Sequence, residues 1–519
     1  MRSAIANRAI SLTVLVVAVA AAAGLAVWKH TVTLAASAPQ LAPRAEPVNT
    51  VLRACPAPGL TGAPAAQVAL ITGPASTGSG RALVTRLGTA AGGTPLASLT
   101  RPGALSVTGV RPAPAPDNGT KPAPAHSATP SATPSPATTS PPVATVPAPG
   151  GTVIQATGAM ARGLEAEQVS DGGRAAECCA GPGTDFWFAG PGVYTAPHIQ
   201  VFLMNVSAQP ADVTVQAFTD TGPLQGSADT GVAVTPHSMV TQSLDKMLHG
   251  ARLVALQVRT SVGQVVAAVR ETYSGHTGAW LPVSAAPSTR IVIPGMPAAS
   301  GTRQLFLAVP GTSVAHITLN AITAKGSYRP TGGAGLDIPG GSVAQVSLSS
   351  LSGIYGALVV SSTVPVTASL MVPGGQHGAP GAFTAAAPAI QEQGMVAANV
   401  TGKSAASSLV LSAPWRGARV RLTEIGTDSG QGKTASGSVL VIRAHRSVMR
   451  QLLTPDGSRH GSAFAVVVTP LPGSGPVYAG RVITTGGRGG AVESILPVPS
   501  ALTVVPLPPV QGTLVTRGG

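Results

Sequence analysis

The chain has 519 residues, of which 44% are hydrophobic, 10% charged and 3% aromatic, with 63 Gly, 48 Pro and a formal net charge of +14. So much Gly and Pro excludes a fold of long helices, since each interrupts the helical hydrogen-bond run, and suits short Val-rich strands joined by tight turns. The positive charge sits on scattered arginines such as Arg259, Arg270, Arg303 and Arg419. It lacks the basic runs interleaved with aromatics that nucleic acid calls for, so no nucleic-acid partner is expected. A diffuse field of this kind confers solubility and weak attraction to anionic lipids or acidic polymers.

Arg2 and Arg8 precede an apolar run from Ala9 to Trp28. As a helix rising about 1.5 Å per residue, it reaches roughly 30 Å, enough to cross a bilayer core. The basic start places residues 1–8 in the cytoplasm and makes 9–28 a single transmembrane signal anchor. Ala36-Ser37-Ala38 offers a rival cleavage site. Pro39 directly after it and the length of the apolar run favour an uncleaved anchor. Either way the remainder is exported, to the extracytoplasmic side of the cell membrane. Residues 29–48 form an Ala/Pro-rich spacer.

Residues 49–182 form an N-terminal β region, with strand-like pieces at Gln67–Thr72 and Ala82–Arg86. Inside it, residues 111–151 are rich in Pro, Ala, Thr and Ser. They are expected to be a disordered, polyproline-like insertion, lacking the apolar surface to offset ordering entropy. The cysteines are Cys55, Cys178 and Cys179, without metal-ligand spacing. In an oxidising compartment Cys55 is expected to bridge to Cys178 or Cys179. That would make the insertion a loop within one domain.

From residue 183 a repeat near 105 residues long begins. Val201–Ser207 followed by Ala211–Ala217 recurs as Leu305–Pro310 with Ala315–Ala321, and as Leu409–Ser412 with Ala418–Thr423. Gly231–Leu244 aligns without a gap to Gly335–Leu348, and more weakly to Ser438–Leu453. Each copy closes with two further strands: Val254–Val258 with Val265–Val269, Ala357–Val360 with Val366–Met371, and Phe464–Val468 with Val477–Ile483. The repeats are set at 183–297, 298–399 and 400–510, before a tail of residues 511–519. Strict alternation predicts that Val213 and Val215, Ile317 and Leu319, and Val420 and Leu422 face a core. Their neighbours Asp212 and Thr214, His316 and Thr318, and Arg419 and Arg421 should face out. The expected fold is all-β: tandem antiparallel β-sandwich (Ig-like) repeats behind one N-terminal transmembrane helix. A β-propeller-like arrangement with two blades per repeat is the alternative.

The sequence holds no nucleophile elbow, zinc-protease motif, phosphate-binding loop or EF-hand, and no cofactor is expected. His237, His276 and His316 read as exposed or turn residues without a shared place in the repeats. Trp280 and Trp415 read as corner residues, and the sequons at Asn118, Asn205 and Asn399 as chance. Phe186, Trp187 and Phe188 gather three aromatics in a chain with few. They are either an aromatic platform for a sugar ring or a core strand entering the first repeat.

Several stretches carry a resemblance. They are the ACPAP start, Gly158–Gln168 (GAMARGLEAEQ), CCAGPGTDFWFAGPG, the repeat strand NVSAQPADVTV, VTPHSMVTQSL, and the AAVRETYSG…WLP close. Together they resemble an actinobacterial exported family, domain of unknown function 5719, from about residue 50 to the C-terminus. The doubled cysteine and the long Pro-rich insertion depart from its pattern. The resemblance implies a membrane-anchored or secreted envelope protein and implies no reaction. The expected function is a non-catalytic envelope scaffold that meets envelope proteins or wall polymers. A wall-glycan-binding module using Trp187, Phe186 and Phe188 is the alternative, and an envelope enzyme the third class.

Overall fold

The computed structural model describes residues 44–56, 66–73, 77–88, 94–110, 146–147, 150–170, 175–224, 231–273, 278–374, 381–402, 405–427, 437–455, 463–485 and 491–507. The anchor at 9–28, the spacer before residue 44, the Pro-rich stretch 111–145 and the tail 511–519 lie outside them. Among the described residues no helix is long and apolar enough to cross a membrane. The chain divides into a large body, Pro47–Val504, and a small one of residues 1–46 and 505–519.

The protein is all-β, built from antiparallel sheets. The alternating strands behave as their pattern requires. In Ala211–Thr219, Ala315–Thr323 and Ala418–Gly426, the residues Val213, Val215, Ile317, Leu319, Val420 and Leu422 are buried. Asp212, His316, Arg419 and Arg421 are exposed, and Thr214 and Thr318 are half-buried.

Among the described residues, eight strand segments in two sheets recur in every repeat. One sheet runs first–sixth–third–fourth and the other eighth–seventh–second–fifth. In the first repeat these strands are Asp185–Pro191, His198–Asn205, Ala211–Thr219, Val232–Val234, Ser238–Ser243, Leu253–Val262, Val266–Thr272 and Gly278–Leu281. In the second, the sixth and seventh segments are one strand, Gly356–Val372. Its first half pairs with Ala315–Thr323 and its second half with Arg303–Ala308. The two sheets of a repeat enclose one apolar core, which makes each repeat sandwich-like.

The N-terminal region differs from its sequence reading, because it is a fourth copy of the same unit. Thr50–Cys55, Ala66–Ile71, Gly80–Arg86, Ala97–Leu99, Ala104–Val110, Thr152–Gly158, Glu165–Ser170 and Ala175–Cys178 form the same two sheets in the same order. Residues 111–145 separate its fifth and sixth strands. That gap broke the 105-residue period and hid the copy. Val146–Pro147, assigned to the insertion, lies instead as a short strand against Val240 and Thr241. The repeat boundaries also move one strand toward the N-terminus. Ser288–Met296 pairs within the second repeat, and Gln393–Asn399 within the third.

The sheets bury part of their outer faces as well. The first sheet of each copy packs on the second sheet of the next. Ala54 and Leu87 meet Phe202, Met204 and Trp280, while the first repeat's core continues into Phe306 and Phe383. Val292 and Val359 meet Trp415 and Tyr478. The series then closes, because Met395, Ala397 and Val467 of the third repeat pack on Ala69, Ile71 and Val169 of the N-terminal copy. The four eighth strands, Ala175–Cys178, Gly278–Leu281, Ala382–Ala385 and Ala491–Pro497, contact one another in turn, the last meeting the first. Strands burying both faces lose their alternation, as in Asp185–Pro191, where every residue after Asp185 is buried.

Candidate functional site

The densest group of buried ionisable side chains lies where the ring closes. Three glutamates of the N-terminal copy take part: Glu165 and Glu167 on the seventh strand, and Glu177 on the eighth. All are at most 5% exposed. Alternation would send Glu165 and Glu167 to one face of their strand. Here that face abuts other sheets, so each carboxylate needs a partner.

Glu165 receives a two-pronged contact from Arg53 on the first strand, Nη2 to Oε1 at 2.7 Å and Nε to Oε2 at 3.2 Å. Glu167 pairs with Arg481, which stands 314 residues away on the third repeat and is wholly buried. The Ala398 amide donates to Glu167 Oε2 at 3.1 Å, and Arg481 also donates to the Ala398 carbonyl. Burial pushes the Glu167 carboxyl up, with Arg481 and two backbone amides pulling it back. Glu177 stands directly across from Gln168. Its Oε2 and both polar atoms of the Gln168 amide have no hydrogen-bond partner among the described residues. Burial alone raises Glu177 well above the usual carboxylate range.

The cysteines complete the group. Cys55 is bonded to Cys179, with Cα atoms 4.5 Å apart, which selects one of the two expected partners. Cys178 keeps a free thiol, 4.0 Å from the Pro497 carbonyl. Burial, then the carboxylates of Glu167, Glu177 and Glu165, raise its pKa well above the ordinary thiol value. A thiol held neutral is a poor nucleophile and a poor metal ligand. Among the described residues no group of three or more His, Cys, Asp or Glu is placed to hold a metal ion. The chemistry of this group is that of a clasp. One charged pair, Glu167 with Arg481, ties the N-terminal copy to the third repeat, while Arg53 with Glu165 ties two strands within the N-terminal copy.

A fourth buried glutamate is Glu271, wholly buried on the first repeat's seventh strand. Tyr273 donates to its Oε2 at 2.7 Å, and its Oε1 has no partner among the described residues. Burial pushes its carboxyl up to about 8, although the Tyr273 bond opposes that.

The aromatic candidates are not a platform. Phe186, Trp187 and Phe188 are 7%, 4% and 0% exposed, and Trp187 stacks on Phe218 at 5.8 Å in the first repeat's core. No ring face is left for a sugar, so the core-strand reading is the one the structure bears out. Asn205 and Asn399 are wholly buried and bond backbone carbonyls, as chance sequons would. The glutamates of GLEAEQ were visible in a chain with only 18 acidic residues, yet nothing local signalled Arg481 as their partner.

The large body is thus a repeat-built, all-β ring with one buried charged pair, Glu167 with Arg481, across the seam between its first and last copies. It belongs to a family of unknown function, DUF5719, which matches residues 132–448. No curated protein and no solved structure matches the chain.

Proposed function

We propose that this protein is a non-catalytic scaffold of the cell envelope, held in the membrane by residues 9–28 with its β body on the extracytoplasmic side. The observation that carries this reading is the Cys55–Cys179 disulfide, because structural disulfides persist in oxidising compartments. The basic start and apolar run before the body agree with it. Four copies of one unit arranged in a ring give a stiff body with a large perimeter, the form in which repeat proteins present binding surfaces. In finer terms, the copies are Ig-like in their two packed antiparallel sheets. Their cyclic order supports a propeller-like assembly over free-standing sandwiches. Protease added to cells stripped of their wall tests location: the body should be removed, and a protected body would overturn the reading. Capture with the full chain tests the role. Recovery of envelope proteins supports the scaffold, whereas retention on purified wall polymers alone would replace it with a glycan-binding module.

A further inference from the structure

The four copies differ in the length of their fourth strand. The fourth strand has three residues in the N-terminal copy and in the first two repeats: Ala97–Leu99, Val232–Val234 and Leu336–Ile338. In the third repeat it is Ser438–Ile442, five residues long, and it ends its sheet, pairing only with Ala418–Gly426 among the described residues.

The register fixes which of its backbone groups are free. The Arg419 amide donates to Ser474 Oγ at 3.0 Å, and its carbonyl accepts from the Leu471 amide at 2.8 Å. Both partners lie on the sixth-strand side. Alternation along an antiparallel ladder then turns Ala418, Val420 and Leu422 toward their opposites Ile442, Leu440 and Ser438. The N–H and C=O groups of Val439 and Val441 are left pointing at the open edge. Their side chains are exposed too, 45% and 65%. Arg419 stands opposite Val441 and Arg421 opposite Val439, both exposed, and exposed Arg443 follows the strand. The corresponding cross-strand pairs elsewhere are Asp212 with Ala233 and His316 with Asp337. Among the described residues neither Arg419 nor Arg421 has an acidic partner within 4 Å.

We infer that Ser438–Ile442 is a docking edge for an extended acidic segment of a partner protein, which adds to the sheet as a further strand. The Val439 and Val441 backbone supplies the ladder bonds, their side chains give an apolar footing, and Arg419, Arg421 and Arg443 select alternating carboxylates. The inference deepens the scaffold reading by naming the chemistry of its partner. Binding in solution does not depend on export, so one can fail while the other stands.

The test uses the full chain in a zwitterionic detergent and two labelled eight-residue peptides, one alternating Glu and Val, the other Lys and Val, read by fluorescence anisotropy. The Glu/Val peptide should bind and the Lys/Val peptide should not. Arg419→Glu with Arg421→Glu, both on the surface, should weaken binding about tenfold or more. Val441→Pro removes an outward N–H without touching the inner ladder and should weaken it by a similar factor. Equal binding of both peptides, or indifference to the charge reversal, would overturn the inference. So would arginine-dependent binding of phosphatidylglycerol vesicles without peptide binding, which would make the edge a lipid contact.

Discussion

Glu271 shows how a single buried acid makes stability depend on pH. Its carboxyl, pushed up to about 8, stays protonated in the folded chain where the unfolded chain has lost the proton. A folded pKa above the unfolded one gives stability that is full below about 4.5 and is lost as pH rises through about 8. Glu271→Gln keeps the shape and removes the ionisation. Urea unfolding at pH 5 and pH 8 should show wild-type stability falling by a few kcal/mol, on the order set by the shift, with that fall much reduced in the variant. An equal fall in both would assign the slope to other groups. The turn between the fourth and fifth strands makes a second case. His237 and His445 hold φ of 52° and 58°, and Gly341 sits between them at 73°. The three are evenly spaced at 104 residues (341 − 237 and 445 − 341), so His237 shares its repeat position with Gly341 and His445, and not with His276 or His316. The gap-free alignment of Gly231–Leu244 with Gly335–Leu348 already paired His237 with Gly341, and only the backbone angle explains why. Left-handed backbone costs a non-glycine residue about 1–2 kcal/mol. His445→Gly should therefore raise the unfolding free energy by about 1 kcal/mol, and Gly341→Ala should lower it by a similar amount.

Among elements, the third strands were the most legible, because a two-residue period with one wet face writes itself into the sequence. Val215 and Leu319 are 1% and 0% exposed, as alternation required. Val215→Asp should unfold its repeat, as an unpaired buried charge costs several kcal/mol, while Thr214→Asp should be nearly silent in thermal melts. Comparable losses from both would mean that the outer flank is also packed there. The first and eighth strands were less legible. Ser288–Met296 buries six consecutive residues from Ile291 onward, so its apolar run carries no alternation to mark a unit's beginning. That is why the boundaries fell one strand late. The aromatic stretch at 186–188 is the same effect: burial of both faces gathers large side chains without any ligand.

For the whole molecule, the ring and its seam were the hardest features to read, because both depend on contacts hundreds of residues apart. The N-terminal copy lost its period to the Pro-rich stretch, and no spacing links Glu167 to Arg481. At the seam several contacts act together. Ser500–Ala501 pairs with the third repeat's first strand, the Leu502 carbonyl accepts from the Gly163 amide at 3.0 Å, and the Thr503 carbonyl from the Val48 amide at 2.9 Å. Replacing one member of a buried charged pair leaves the other uncompensated, at about 3–5 kcal/mol. Hydrogen exchange on the full chain carrying Arg481→Met therefore tests the closed ring most directly. The closed ring predicts faster exchange in Ala66–Ile71 and Glu165–Ser170 of the N-terminal copy as well as in the third repeat itself. Faster exchange confined to the third repeat, with the N-terminal copy unchanged, would contradict it and leave a row of independent sandwiches.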